Sequence, residues 1–129
     1  MIISELATIT KVSAKTIRYY EQVGLLSAPL RADNGYRHYQ LKDVETLVFI
    51  RRCRELNITI DDIKRLVDVQ HSPKNSCAVV DNIIAEQLAR IQQTQRELAK
   101  LEKSLTTLAT SCKSHQVEDC SILHQLNAP

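Results

Sequence analysis

The sequence predicts a mostly α-helical fold: two short helices about a tight turn, a small two-stranded ribbon, and one long helix with nothing in its own chain to cover it. Three observations carry this. Only 2 Gly and 3 Pro occur in 129 residues, which favours helices over a turn-rich β fold. One Asn34-Gly35 step marks a hairpin, because both central residues of such a turn need positive φ. From about Ser76 to Thr110 neither Gly nor Pro interrupts the apolar periodicity.

The elements follow in order. Ile2 to Ile9 reads as a helix capped by Ser4, with Ile3, Leu6 and Ala7 on one face. Thr10-Lys11-Val12 makes a tight connection, and Ser13 caps a second helix over Ala14 to Val23. Gly24 stands just past its end, where a left-handed residue closes many helices. This pair fits a helix-turn-helix, and equally any αα-hairpin. Residues 27–40 hold Pro29 and Asp33-Asn34-Gly35, the turn of a two-stranded wing.

Leu41 to Leu56 is a third helix with Leu47, Ile50 and Cys53 or Arg54 at helical spacing. Thr59 caps a fourth through about Val69, with Asp61 and Asp62 in the first turn, where the helix dipole favours anions. Its apolar face is Ile60, Ile63, Leu66 and Val67, and His71-Ser72-Pro73 ends it. In the long helix, Val80, Ile84, Gln87, Ile91, Thr94, Leu98, Leu101, Leu105 and Leu108 step alternately by four and three. That is the narrow seam of a coiled coil, and a symmetric dimer is the simplest way to cover it. A helix folded back over residues 1–70 is the alternative. Residues 111–120 read as a loop, and Ser121 to Leu126 as a closing helical turn or two.

Charge is uneven in use more than in amount. Residues 1–70 carry 11 Lys/Arg against 9 Asp/Glu, and the rest carry 6 of each. All 4 Tyr and the single Phe lie in the first 49 residues, so only the first half can stack on and clamp a ligand. Lys15 and Arg18 fall at i and i+3 on the second helix, with Tyr19 beside them and Ile17 opposite. Such a face suits a major groove. Arg31, Arg37, Tyr36 and Tyr39 on the wing suit the neighbouring phosphate backbone. A solvated charged face with core tyrosines is the plainer reading of the same residues.

These residues also form a recognisable string. Val12-Ser13-Ala14-Lys15-Thr16-Ile17-Arg18-Tyr19-Tyr20-Glu21-Gln22-Val23-Gly24-Leu25-Leu26, followed by Arg31 and Asn34-Gly35-Tyr36-Arg37-His38-Tyr39, closely resembles the MerR family of transcription regulators. The resemblance runs over essentially the whole chain. It implies a winged helix-turn-helix DNA-binding domain (1–70), a long antiparallel coiled-coil dimerisation helix (76–110), and a C-terminal metal-binding loop with a short terminal helix (111–129). It implies Arg18, Tyr19, Arg31, Tyr36, Arg37 and Tyr39 as DNA contacts, with Lys15 beside them. Double-stranded promoter DNA, a second copy of the chain and, indirectly, RNA polymerase are the implied partners.

The 4 cysteines stand at 53, 77, 112 and 120. The N-terminal Met1-Ile2-Ile3-Ser4-Glu5 lacks a basic start and apolar run, and no stretch approaches the roughly 18 apolar residues of a membrane span. A cytoplasmic location is expected, where thiols mean metal, redox sensing or burial more often than disulfides. Cys112 and Cys120 flank a seven-residue loop that closes easily on one ion. Cys77 lies 35 residues before Cys112. One helix between them would separate the thiols by about 50 Å in a protomer. In an antiparallel dimer, however, Cys77 of one subunit meets Cys112 and Cys120 of the other. Three thiolates suit a divalent soft ion. His115 is a candidate fourth ligand, or merely a solvated loop residue; Cys53 reads as structural.

The family resemblance sharpens this. Its copper(I) branch carries Ser where Cys77 stands, and the context of Cys77 and Cys120 is most similar to the cadmium- and lead-responsive branch. Zn(II), Hg(II) and Cu(I) stay open as ligands, since the seven-residue spacing also fits the copper branch. A thiol redox sensor and a metal-handling protein are the rival readings. Against an enzyme, the chain has no phosphate-cradling Gly loop, nucleophile elbow or paired metal-ligand His motif.

Overall fold

The computed structural model describes residues 1–31, 37–111, 113 and 115–129, and the side chains of all of these except 30, 31 and 37. The order is α1 (Ile3–Thr10), α2 (Ala14–Gln22), β1 (Leu30–Arg31), β2 (Arg37–His38), α3 (Leu41–Glu55), α4 (Ile60–Gln70), α5 (Ala78–Ser111), a 3-10 turn (Val117–Asp119) and α6 (Ser121–Asn127). The strands are antiparallel, with Leu30 opposite His38 and Arg31 opposite Arg37. The expected hairpin turn at Asp33-Asn34-Gly35 lies outside the described residues.

Local chemistry explains most boundaries. Ser13 Oγ accepts from the Thr16 amide at 3.1 Å, and Thr59 Oγ1 from the Asp62 amide at 3.2 Å, so both expected caps satisfy an orphan helix donor. Ser4 is not a cap. It stands inside α1, which starts with only a backbone bond from the Leu6 amide to the Ile2 carbonyl at 3.1 Å. The first residues of α3 are held by the Asp43 carboxylate, which accepts from the Gln40 amide at 2.8 Å.

Two helices end alike. At α2 the Leu25 amide reaches back to the Tyr20 carbonyl (2.9 Å) and the Gly24 amide to Glu21 (3.2 Å), with Gly24 at φ 80. At α3 the Ile58 amide reaches the Cys53 carbonyl (3.2 Å) and the Asn57 amide reaches Arg54 (2.9 Å), with Asn57 at φ 60. Both are Schellman closures, which need a left-handed residue just past the helix. Lys11, at φ 60, makes the sharp turn between α1 and α2.

The chain divides into two compact units, Met1–Gln87 and Leu88–Pro129. In the first, Leu6, Ile17, Leu47, Ile50 and Ile63 are fully buried in one cluster that joins α1 to α4. This unit takes in the start of α5 because Ile83 is buried in the same cluster, with Val79 and Val80 packed on it. The Gln87 side chain donates to the Leu56 carbonyl at 3.0 Å. Thr10, also fully buried, turns its hydroxyl onto the Leu6 carbonyl at 2.8 Å, so no polar group is stranded there.

The second unit comprises the rest of α5, the 3-10 turn and α6. Here Leu88, Ile91, Leu98, Leu101 and Leu105 are all exposed. Among the described residues, no helix is long and apolar enough to cross a membrane.

Candidate functional site

The second helix sorts its residues by face. Ile17 is completely buried and Tyr20 nearly so, and they anchor α2 to the core. Lys15, Arg18 and Tyr19 are exposed on its other side, as their spacing predicts. The Tyr19 and Tyr20 rings are 6.0 Å apart and tilted by 50°, so the exposed ring leans on the buried one. Burial pushes the Tyr20 hydroxyl above its ordinary value of 10.0; nearby Arg54 opposes this and Tyr19 adds to it.

On the wing, Arg31 and Arg37 face each other in the strand register, while Tyr36 lies outside the described residues. Tyr39 corrects an expectation. It is only 1% exposed, and its hydroxyl donates to Glu21. Its amide also donates to the Met1 carbonyl at 2.8 Å. A side chain so enclosed cannot lie along a phosphate backbone; Tyr39 instead ties the wing's exit to α2. The sequence sets it among the wing's arginines and the family resemblance implies a DNA contact there, and neither reveals its burial. The hydrogen-bond partner, Glu21, gave no periodic signal of its own.

The thiols divide between the units. In the first, Cys77 is exposed immediately before α5; its carbonyl accepts from the Asp81 amide at 2.9 Å, and Ser76 Oγ accepts from the Ala78 amide at 3.1 Å. Cys53 is buried in the last turn of α3, as expected of a structural residue, and burial raises its thiol above the usual 9.0.

In the second unit, Cys120 is half-buried at the start of α6. Its amide donates to the Val117 carbonyl at 3.2 Å, and its own carbonyl accepts from the His124 amide at 3.2 Å. Cys112 lies outside the described residues. His115 is exposed, whereas His124 Nε2 donates to the Glu118 carbonyl at 2.8 Å and so is committed to the local turn. Among the described residues no three ligating side chains gather in one place. The donor set itself fits a soft ion, because sulfur is a soft donor and solvent reaches both Cys77, which is exposed, and Cys120, which is half-buried. Sequence reasoning missed Ser111, Ser121 and Gln125, which join the two ends of the loop around Cys112 and Cys120.

A helix-turn-helix with an exposed cationic face, followed by a two-stranded ribbon, defines the chain as a winged helix-turn-helix regulator. The comparisons narrow the class. A family model described as MerR HTH family regulatory protein matches residues 1–70, and one described as MerR, DNA binding matches residues 44–108. The chain belongs to the MerR family of DNA-binding transcriptional regulators, and it is not an enzyme.

Among its relatives is the HTH-type transcriptional regulator CueR of Vibrio cholerae, 35% identical over 126 residues that cover 98% of this chain and 91% of the relative. Another is a probable heavy metal-dependent transcriptional regulator of Haemophilus influenzae, 36% identical over 127 residues that cover 98% and 99%. The crystal structure of the transcription regulator PbrR691 from Ralstonia metallidurans CH34 in complex with lead(II) is similar throughout. Its TM-score is 0.89 at 33% identity, over 98% of both chains.

Proposed function

We propose that the chain is a metal-responsive regulator that binds promoter DNA as a homodimer and activates a heavy-metal resistance or efflux promoter. It senses a divalent soft ion, Cd(II) or Pb(II), through Cys77 of one protomer and Cys112 and Cys120 of the other. The observation that carries the reading is the disposition of thiols about α5. One unbroken helix, Ala78–Ser111, separates Cys77 from the Cys112–Cys120 loop, and its seam residues Ile84, Ile91, Leu98, Leu101 and Leu105 are exposed in the single chain. Pairing two such helices in opposite directions covers the seam and joins the cysteines across the dimer. The similarity to the lead(II)-bound PbrR691 supports a divalent ion.

In this reading Lys15, Arg18 and Tyr19 lie toward the major groove, and the wing, with Arg31, Tyr36 and Arg37, toward the flanking backbone. Metal acts by favouring one of two arrangements of the DNA-bound dimer, so it must bind those arrangements with different affinity. The output is distortion of the promoter, which brings its elements into register for RNA polymerase at a deformation energy set by the sequence.

Copper(I) is the second reading. The seven-residue spacing of Cys112 and Cys120 fits it, and CueR regulators stand among the relatives. Reporter induction across Cd, Pb, Zn, Hg and Cu(I), repeated with Cys77→Ser, separates the two. Loss of the Cd and Pb response supports the three-thiolate site, and full retention removes it. Induction that survives strong reductant excludes a Cys112–Cys120 disulfide switch.

A further inference from the structure

A single hydroxyl joins the end of α5 to the start of α6. Ser111 Oγ donates to the Leu108 carbonyl at 2.8 Å. It accepts from Ser121 Oγ at 3.1 Å and from Gln125 Nε2 at 3.3 Å. A serine hydroxyl offers one donor and two acceptor positions, so all three are used. Both serines are half-buried, which shields the Ser111–Leu108 and Ser121–Ser111 bonds in part from water, while the Gln125 bond is exposed.

The positions matter as much as the bonds. Ser111 directly precedes Cys112, and Ser121 directly follows Cys120. Consecutive Cα atoms are about 3.8 Å apart, so whatever fixes these serines restrains both stems of the cysteine loop. The Cys120 stem is further held by its two backbone bonds and by the His124–Glu118 contact. Closing a free loop costs entropy, and a stem closed beforehand removes that cost from binding.

We propose that Ser111, with Ser121 and Gln125, forms a positioning clasp that closes the stem of the Cys112–Cys120 loop before an ion arrives, and so sets the affinity of the thiol pair. This rests on the reading of Cys112 and Cys120 as metal ligands. Groups that orient ligands without touching the metal typically command about 10- to 100-fold in affinity. Ser111→Ala removes all three bonds at once and is expected to weaken Cd(II) binding roughly tenfold or more. Ser111→Thr keeps the hydroxyl and is expected to restore it.

The test uses the full-length, reduced protein with Cd(II) as probe. Affinity is measured by chelator competition and followed by the thiolate-to-cadmium absorption band. Hydrogen exchange of the amides from 115 to 120 is measured in the metal-free protein. The clasp predicts weaker binding with an unchanged band at saturation for Ser111→Ala, faster metal-free exchange, and recovery of both in Ser111→Thr. Wild-type affinity and wild-type exchange in Ser111→Ala overturn it. If that variant does not fold, Gln125→Ala decides, because its side chain is exposed; it is expected to lose affinity severalfold, and no loss overturns the clasp. Cys120→Ser with wild-type affinity and band overturns the ligand reading beneath it.

Discussion

The Tyr39 hydroxyl donates a hydrogen bond to the Glu21 carboxylate, joining the residue that follows β2 to the last turn of α2. The ring itself is sealed in the core. The orientation of the helix bearing Lys15, Arg18 and Tyr19 is thus coupled to the exit of the wing.

Tyr39→Phe keeps the packing and removes the donor. It should lower stability by about 1.5–3 kcal/mol, the net worth of a hydrogen bond to a charged group. Tyr39→Ala leaves a cavity as well and should cost about 3–5 kcal/mol. Calorimetry checks both. A Tyr39→Phe protein with native stability and severe loss of DNA affinity would return Tyr39 to the DNA-contacting groups.

Lys15 and Arg18 should weaken DNA binding in different ways. Lys15→Ala, losing a compact charge, should reduce affinity on all sequences and lower the salt slope by about 1. Arg18→Ala should cost about 1–3 kcal/mol and relax sequence preference at one base position, as expected of a planar bidentate group. Binding isotherms on operator and scrambled DNA over a salt series distinguish the two. Identical effects on both DNAs for Arg18 would place it on phosphate only.

The two Schellman closures give a matched pair of backbone tests. A Cβ at Gly24 would meet nothing within 4 Å, so Gly24→Ala carries only the penalty of its positive φ, about 1–2 kcal/mol. Asn57→Gly relieves that same penalty in part and should stabilise by a few tenths to about 1 kcal/mol. Urea unfolding of the two variants should therefore shift in opposite directions.

How much was legible in the sequence depends on which force set the feature. The Ser13 and Thr59 caps, the Gly24 closure and the buried Leu47–Ile50–Cys53 stripe are local or periodic, and the residues announce them. Asn57 was missed because asparagine takes the left-handed conformation only in context. Ile83 was missed because the seam through Val80, Ile84 and Gln87 describes one face of α5, whereas its first turns also pack on the domain core through another. Tyr39 and the Ser111–Ser121 clasp depend on partners far along the chain, and no spacing rule names those.

The exposed seam yields its own prediction. Leu101 is 60% exposed, with Leu98 and Leu105 beside it at 58% and 65%. In a symmetric dimer, Leu101→Glu would bury a carboxylate on both helices, at a desolvation cost of several kcal/mol per ion. Sedimentation should show wild-type dimers and a Leu101→Glu monomer, with operator binding lost in parallel. A wild-type monomer at micromolar concentration would leave the proposed intersubunit thiolate site without a second protomer.

The buried thiol of Cys53 gives a signature at alkaline pH. Because burial raises its pKa above 9.0, the native state holds this proton more tightly than the unfolded chain does. Below the unfolded value both states are protonated and the contribution is constant. As pH rises past it the unfolded thiol ionises first, and stability falls until the native thiol ionises too. Tyr20, raised above 10.0, adds to the loss at still higher pH. Urea unfolding from about pH 7 to 10 should therefore show a decline that Cys53→Val partly flattens. Alkylation should track the same burial: in the reduced, metal-free protein Cys77, which is exposed, reacts before Cys53. A Cys53 that reacts as fast as Cys77 would mean that the α3 core opens readily, and the flattened pH profile would then disappear with it.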